Sequence, residues 1–328
     1  MADFYPLRFQ PIFRRYLWGG RRLSSVLSRP IGDGEDYAES WEVSDHGDDQ
    51  SVVADGPLAG RTLHQLLGEH GSELLGRHYR PPGDRALQFP LLFKFLDAQR
   101  NLSLQVHPND AQAARLDPPD LGKTEAWVIL ARTAGSKIYA GLKRGIDRHA
   151  LERELGRGNA ELCLNVFEPE VGDCIFLPAG VVHAIGEGLL VAEIQQASDT
   201  TYRVYDWNRL TADGQLRELH VDEALEVVDF DYGPVQVQTP QPTDRTHVER
   251  LVDSDKFVLD RWRFDAPQTA GGDDRCHIVA VIEGQVSVAG DVGERPLSAG
   301  SVVLLPAAAG EVQVTPQAQA VLLDMYLP

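Results

Sequence analysis

The feature that most constrains this chain is its rhythm of short apolar runs, each cut off by glycine or proline. Leu91 to Leu96, Leu102 to Val106, Ala126 to Leu130, Asp173 to Leu177, Leu189 to Gln195, Phe257 to Trp262, Ile278 to Ile282, Ser301 to Leu305 and Ala320 to Leu323 are rich in Val, Ile, Leu and Phe. Such residues suit a pleated, half-buried surface, and turn residues at both ends make each run a strand. Many short strands at this spacing predict a mostly β fold, a sandwich or barrel and not βαβ units. Helical periodicity is confined to short pieces: Thr62 toward Leu75, Asn109 to Arg115, Asp147 to Leu155, and Asp222 to Val228 with acids in its first turn.

The segment from Gly233 to Pro242, with prolines at 234, 240 and 242, reads as a linker. It separates residues 1–232 from residues 243–328. A faint internal repeat crosses that boundary. Gly172-Asp-Cys-Ile-Phe-Leu-Pro178-Ala179 matches Gly300-Ser-Val-Val-Leu-Leu-Pro306-Ala307. Five residues after the first proline comes His183; five after the second comes Glu311. Two related β-barrels are expected, with chemistry in the first alone.

Charge narrows the class of partner. Lys plus Arg number 31 and Asp plus Glu 49, a formal net charge of −18. An acidic field of that size repels phosphate backbones, so nucleic-acid binding is not expected. An anionic small substrate would need a local basic cluster. The N-terminus shows no basic segment followed by an apolar one, and the longest apolar stretches are too short to span a bilayer. Cys163, Cys174 and Cys276 are scattered and odd in number, without CxxC spacing. A reduced, cytoplasmic protein is expected.

Chemistry-bearing residues gather in a few places. In Ser103-Leu-Gln105-Val-His107-Pro, a strand would put Gln105 and His107 on one side, roughly 6.6 Å apart along it. Gly122-Lys123-Thr-Glu125-Ala-Trp127 and Pro178-Ala-Gly-Val-Val-His183 add a carboxylate and a second imidazole. One amide oxygen, one carboxylate and two imidazoles suit a borderline divalent ion such as zinc. Glu125 precedes an apolar run, and burial of an unpaired carboxylate costs several kcal/mol. A metal would offset that cost. In Val191-Ala-Glu193-Ile-Gln195, Glu193 and Gln195 share a face, and Arg203 follows after an Asp-Thr-Thr turn. These residues are either a solvated edge with salt bridges or a proton-transfer group and an anion clamp beside a metal.

Phe93-Lys94-Phe-Leu-Asp, Ser103-Leu-Gln-Val-His-Pro108, Gly122-Lys-Thr-Glu125, Pro178-Ala-Gly-Val-Val-His-Ala184 and Ser198-Asp-Thr-Thr-Tyr-Arg203 together resemble type I mannose-6-phosphate isomerases, in their short bacterial form. Trp18-Gly-Gly20 and Glu39-Ser-Trp41-Glu42 also look like that family. The similarity runs over about residues 6 to 210 in ordered motifs. It implies two cupin-like jelly-roll barrels, the second degenerate. It implies one zinc ion held by Gln105, His107, Glu125 and His183, although such a donor set also accepts manganese, cobalt or magnesium. It implies Arg203 and Glu193 as catalytic groups, and Lys94, Ser103 and Lys123 as contacts to a sugar phosphate. The implied reaction interconverts mannose 6-phosphate and fructose 6-phosphate through a cis-enediol. The longer relatives carry a large helical insertion between the ligand Glu and the last His; here only residues 126–182 intervene. Two other readings fit the same barrel: a non-catalytic cupin that senses a sugar phosphate, and a metal-dependent oxygenase or epimerase. Gln-x-His, in place of His-x-His, disfavours the latter.

Overall fold

A computed structural model describes residues 4–80, 87–210, 214–293 and 295–328. Strands form where the apolar runs predict them. Leu91–Ala98, Leu104–Val106, Glu125–Arg132, Cys174–Leu177, Leu189–Gln196, Val258–Phe264, His277–Glu283, Val302–Leu305 and Ala320–Tyr326 all coincide with those runs to within a few residues. The short helices do so too. Leu63–Leu75 starts on a capping box, in which Gln65 N donates to Thr62 Oγ1 and Thr62 N donates to Gln65 Oε1. Asp147 caps Arg148–Gly156 by accepting from Ala150 N at 2.8 Å. The three cysteines are free and buried. Among the described residues no helix is long and apolar enough to cross a membrane.

The chain forms two compact units. The first comprises Met1–Arg15, Arg21–Phe95 and Thr239–Pro328; the second comprises Tyr16–Gly20 and Leu96–Gln238. One crossing, after Gln238, falls inside the proline-rich stretch expected as a linker. The others do not. The N-terminal stretch groups with the C-terminal segment because strand pairing joins distant stretches: Leu7 N donates to Leu304 O at 2.8 Å, and Leu304 N donates back to Leu7 O at 2.9 Å. Hydropathy patterns mark strands but carry no information about partners so far apart in sequence.

In the first unit, one antiparallel sheet runs Gln241–Pro242, Val248–Asp253, Val258–Phe264, Ala320–Tyr326, His277–Glu283, Val302–Leu305. A second runs Gln268–Gly271, Glu311–Pro316, Gln285–Val288, Leu297–Ser298. Trp262, Val279, Leu305 and Leu322 from the first sheet share a core with Ala270, Val286, Leu297 and Val314 from the second, which is the packing of a two-sheet β fold.

In the second unit, a five-stranded sheet runs Leu164–Phe167, Ile138–Leu142, His183–Ile185, Leu104–Val106, Tyr202–Tyr205. Leu104, Val106, Val182, Ala184 and Val204 pack with Leu151 of one helix and Leu225 of another. Because side chains alternate along a strand, this leaves Gln105, His183 and Arg203 on the opposite side. Cys174–Leu177, Glu125–Arg132 and Leu189–Gln196, also of this unit, lie side by side. The two repeat copies look alike locally: Gly172 (φ 90°) and Gly300 (φ 87°) both turn in the left-handed region before their strands.

Candidate metal centre

Register brings the expected ligands together. Gln105 sits directly opposite His183 on one flank and Arg203 on the other. Directly opposed residues of an antiparallel pair project to the same side. Glu125 sits opposite Leu177 and Gln195, so Gln195 shares its side. His107 lies one residue beyond its strand, and its carbonyl accepts from Gly180 N at 2.9 Å. Lys123 N donates to Pro108 O at 3.0 Å. Gly122 permits that approach, because a Cβ there would meet Asp110 N at 2.5 Å.

The result is a compact donor set. His107, Glu125 and His183 are each 1 % exposed and offer ligand atoms that all lie within 4.8 Å of one another. Glu125 Oε1 is 3.1 Å from His183 Nε2, and Glu125 Oε2 is 3.5 Å from His107 Nε2. The other ring nitrogens decide what those contacts mean. His183 Nδ1 faces Val181 O at 2.9 Å and His107 Nδ1 faces Thr200 O at 3.0 Å. A carbonyl only accepts, so each Nδ1 carries a proton and donates it. In the neutral rings both Nε2 atoms therefore present lone pairs to the carboxylate. Lone pairs at such distances repel unless a cation or a proton lies between them. Glu125 is buried and neither of its oxygens receives a hydrogen bond among the described residues, the state of a carboxylate built for a cation. The residues therefore fit a divalent ion.

Charge states agree with this. Burial pushes the Glu125 carboxyl up, but the nearby charge of Lys123, the largest opposing influence, helps hold it well below the usual carboxylate range. Burial lowers the His107 pKa well below its usual value; Lys123 adds to the fall and Glu125 opposes it. An ionised carboxylate and a neutral imidazole are the forms that bind metal. Gln105 lies beside this set: its Nε2 is 3.3 Å from His183 Nε2. Rotation about the last side-chain bond exchanges that nitrogen for the carbonyl oxygen.

The remaining expected residues fall into three places. Lys123 joins the centre, with Nζ 3.3 Å from His107 Nε2 and 3.4 Å from Glu125 Oε2. Ser103 is buried just before the strand that carries Gln105. Glu193 sits opposite Trp127, whose Nε1 donates to Glu193 Oε2 at 2.8 Å. The Trp127 ring packs edge-on against His183, centroids 5.3 Å apart. Arg203 shares a side with Gln105 and His183, and its Nη1 donates to Glu218 O at 3.0 Å. Lys94 belongs to the first unit, buried with Nζ 3.5 Å from Glu39 Oε2 and 5.4 Å from the centre of the Trp41 ring. The sequence reading passed over Trp127, Val181 and Thr200. Two of these act through backbone carbonyls, which any residue type supplies, so composition carries no signal for them.

A family profile described as phosphomannose isomerase type I, catalytic domain, matches residues 7–126. The probable mannose-6-phosphate isomerase GmuF of Bacillus subtilis (strain 168) is 34% identical over 312 residues, covering 94% of this chain and 96% of that protein. The chain belongs to the type I phosphomannose isomerase family. The family's mannose-6-phosphate isomerase ManA, from the same organism, is 34% identical over 322 residues, covering 96% and 98% of the two chains. A crystal structure of the Bacillus subtilis mannose 6-phosphate isomerase matches with a TM-score of 0.87 at 30% identity, over 98% of this chain and 99% of that one. The resemblance read from the motifs and the mostly β architecture both hold.

Proposed function

We propose that this chain is a metal-dependent aldose–ketose isomerase that interconverts mannose 6-phosphate and fructose 6-phosphate in the cytoplasm, with zinc held by Gln105, His107, Glu125 and His183. The metal reading is carried by one observation: two imidazoles whose Nδ1–H groups are committed to backbone carbonyls turn both Nε2 lone pairs toward a single buried carboxylate. The substrate reading rests on the relatives, named for that sugar phosphate over almost their whole length.

A bound divalent ion supplies Lewis acidity to the sugar oxygens at C1 and C2. The protein's own residues move the proton. Glu193 takes the proton from C2, the electron pair forms the C1–C2 double bond of a cis-enediol, and the carbonyl oxygen takes a proton from water. Glu193 then returns its proton to C1 as the C2 hydroxyl becomes the ketone and gives its own proton back to water, so atoms and electrons balance with no co-reactant. Trp127 holds Glu193 Oε2 in place for both transfers. Arg203 offsets the negative charge that grows on the sugar oxygens, and its fixed positive charge needs no proton to do so. Lys94, Ser103 and Lys123 contact the sugar phosphate, the lysines as point charges against an acidic background. Lys123 meets the same nitrogen and oxygen that a cation would take, so a cation held there would leave its ammonium to the substrate.

The test is turnover of mannose 6-phosphate by metal-stripped protein, then after zinc, manganese, cobalt or magnesium is returned singly. Activity should vanish on stripping and return with zinc. A folded sample that binds the sugar phosphate but turns over with none of the ions would instead be a non-catalytic sugar-phosphate binder.

A further inference from the structure

Five residues before Glu125, a carboxylate outside the donor set ties two loops together. Asp120 Oδ2 accepts from Ser198 Oγ at 2.8 Å and from Thr200 Oγ1 at 2.7 Å, and its Oδ1 accepts from Leu121 N at 2.8 Å. Its backbone N donates to Ala113 O at 3.1 Å, which anchors it to the short helix after His107. The turn it grips is braced from two further sides. Thr200 N donates to Ser198 Oγ at 3.2 Å, and Gln195 Nε2 donates to Ser198 O at 2.6 Å. The carbonyl of this same Thr200 is the group that fixes the proton on His107 Nδ1.

We propose that Asp120 is a positioning residue that sets metal affinity through Thr200 and His107; the inference rests on His107 being a metal ligand. Two charge-assisted hydrogen bonds to one carboxylate oxygen hold the Thr200 carbonyl where His107 needs an acceptor. Without that grip the turn relaxes and Nδ1–H loses its acceptor. The imidazole then rotates or shifts its proton to Nε2, and either change removes the lone pair that ligates. Partners beyond the ligands fix tautomer and ring orientation in this way.

The experiment measures the zinc dissociation constant by competition with a chromophoric chelator, on the full chain. Asp120→Ala should raise it about tenfold to a hundredfold, as loss of such a partner does in metal sites. Asp120→Asn, which keeps an acceptor oxygen, should recover most of the loss. Thr200→Val, a milder change that keeps the carbonyl and removes one donor, should raise it about fivefold, equivalent to about one hydrogen bond. A second readout needs no metal: the His107 Nδ1–H proton should be protected from exchange in the parent and exposed in Asp120→Ala. An Asp120→Ala protein that melts earlier yet binds zinc as tightly as the parent would overturn the proposal, since a purely structural role predicts that result. Failure of the parent itself to bind zinc would sink the metal reading instead, before any variant is made. If Asp120→Ala does not fold, an unchanged constant in Thr200→Val is the overturning result.

Discussion

Glu125→Gln isolates the charge at the centre of the site. The substitution keeps shape and removes one negative charge from a carboxylate that is 1 % exposed. Its partner Lys123, 4 % exposed, has Nζ 3.4 Å from Oε2. At that distance and an effective dielectric near 20, the pair is worth about 5 kcal/mol before desolvation. Leaving one member of a buried pair uncompensated typically costs about 3–5 kcal/mol. The metal-free variant should therefore unfold at a clearly lower urea concentration than the metal-free parent near neutral pH. It should also retain no ion after desalting, where the parent retains one per chain. Glu125→Gln combined with Lys123→Met separates charge from general damage to the core. The double variant removes the stranded ammonium, so it should regain most of the lost stability while still binding no metal. Equal instability in the single and double variants would refute the electrostatic reasoning. A full complement of metal in Glu125→Gln would refute the role of Glu125 as a ligand.

Two further predictions concern other parts of the molecule. Burial opposes charge on His277, but Asp324 Oδ1 at 2.8 Å and Asp273 Oδ1 at 3.1 Å outweigh it and push its pKa up to about 10. A raised folded-state pKa stabilises fully below the unfolded value of about 6.5 and is lost as pH rises through about 10, at most about 5 kcal/mol; His277→Gln should flatten that slope in urea midpoints measured from pH 6 to 10, and an unaltered slope would contradict the buried imidazolium. Trp127→Phe keeps an aromatic ring, though a smaller one, and deletes the donor to Glu193; kcat should fall about tenfold to a hundredfold, as misplacement of a reacting group does, with metal content unchanged, and an unchanged kcat would mean that this hydrogen bond does not position the proposed proton shuttle.

Period and punctuation made much of this protein legible. Alternation in Leu102 to Val106 separates Leu104 and Val106 from Gln105, because successive strand residues face opposite ways. Thr62, Asn109 and Asp147 cap the helices expected after them, because a short polar side chain satisfies a free N–H at a helix start. The donor types at 105, 107, 125 and 183 were readable because few side chains can hold a metal, and ordered motifs tied them to a family.

What the sequence by itself determined, then, is local: which runs are strands, which faces are apolar, and which residues have metal-binding chemistry. Tertiary structure decided the rest. It grouped residues 21–95 with the C-terminal strands, set Gln105 opposite both His183 and Arg203, and brought Thr200 O and Val181 O against the two imidazoles. Those outcomes depend on strand pairing and on main-chain carbonyls. A carbonyl is the same atom in every residue, so only the fold determines which one an imidazole meets.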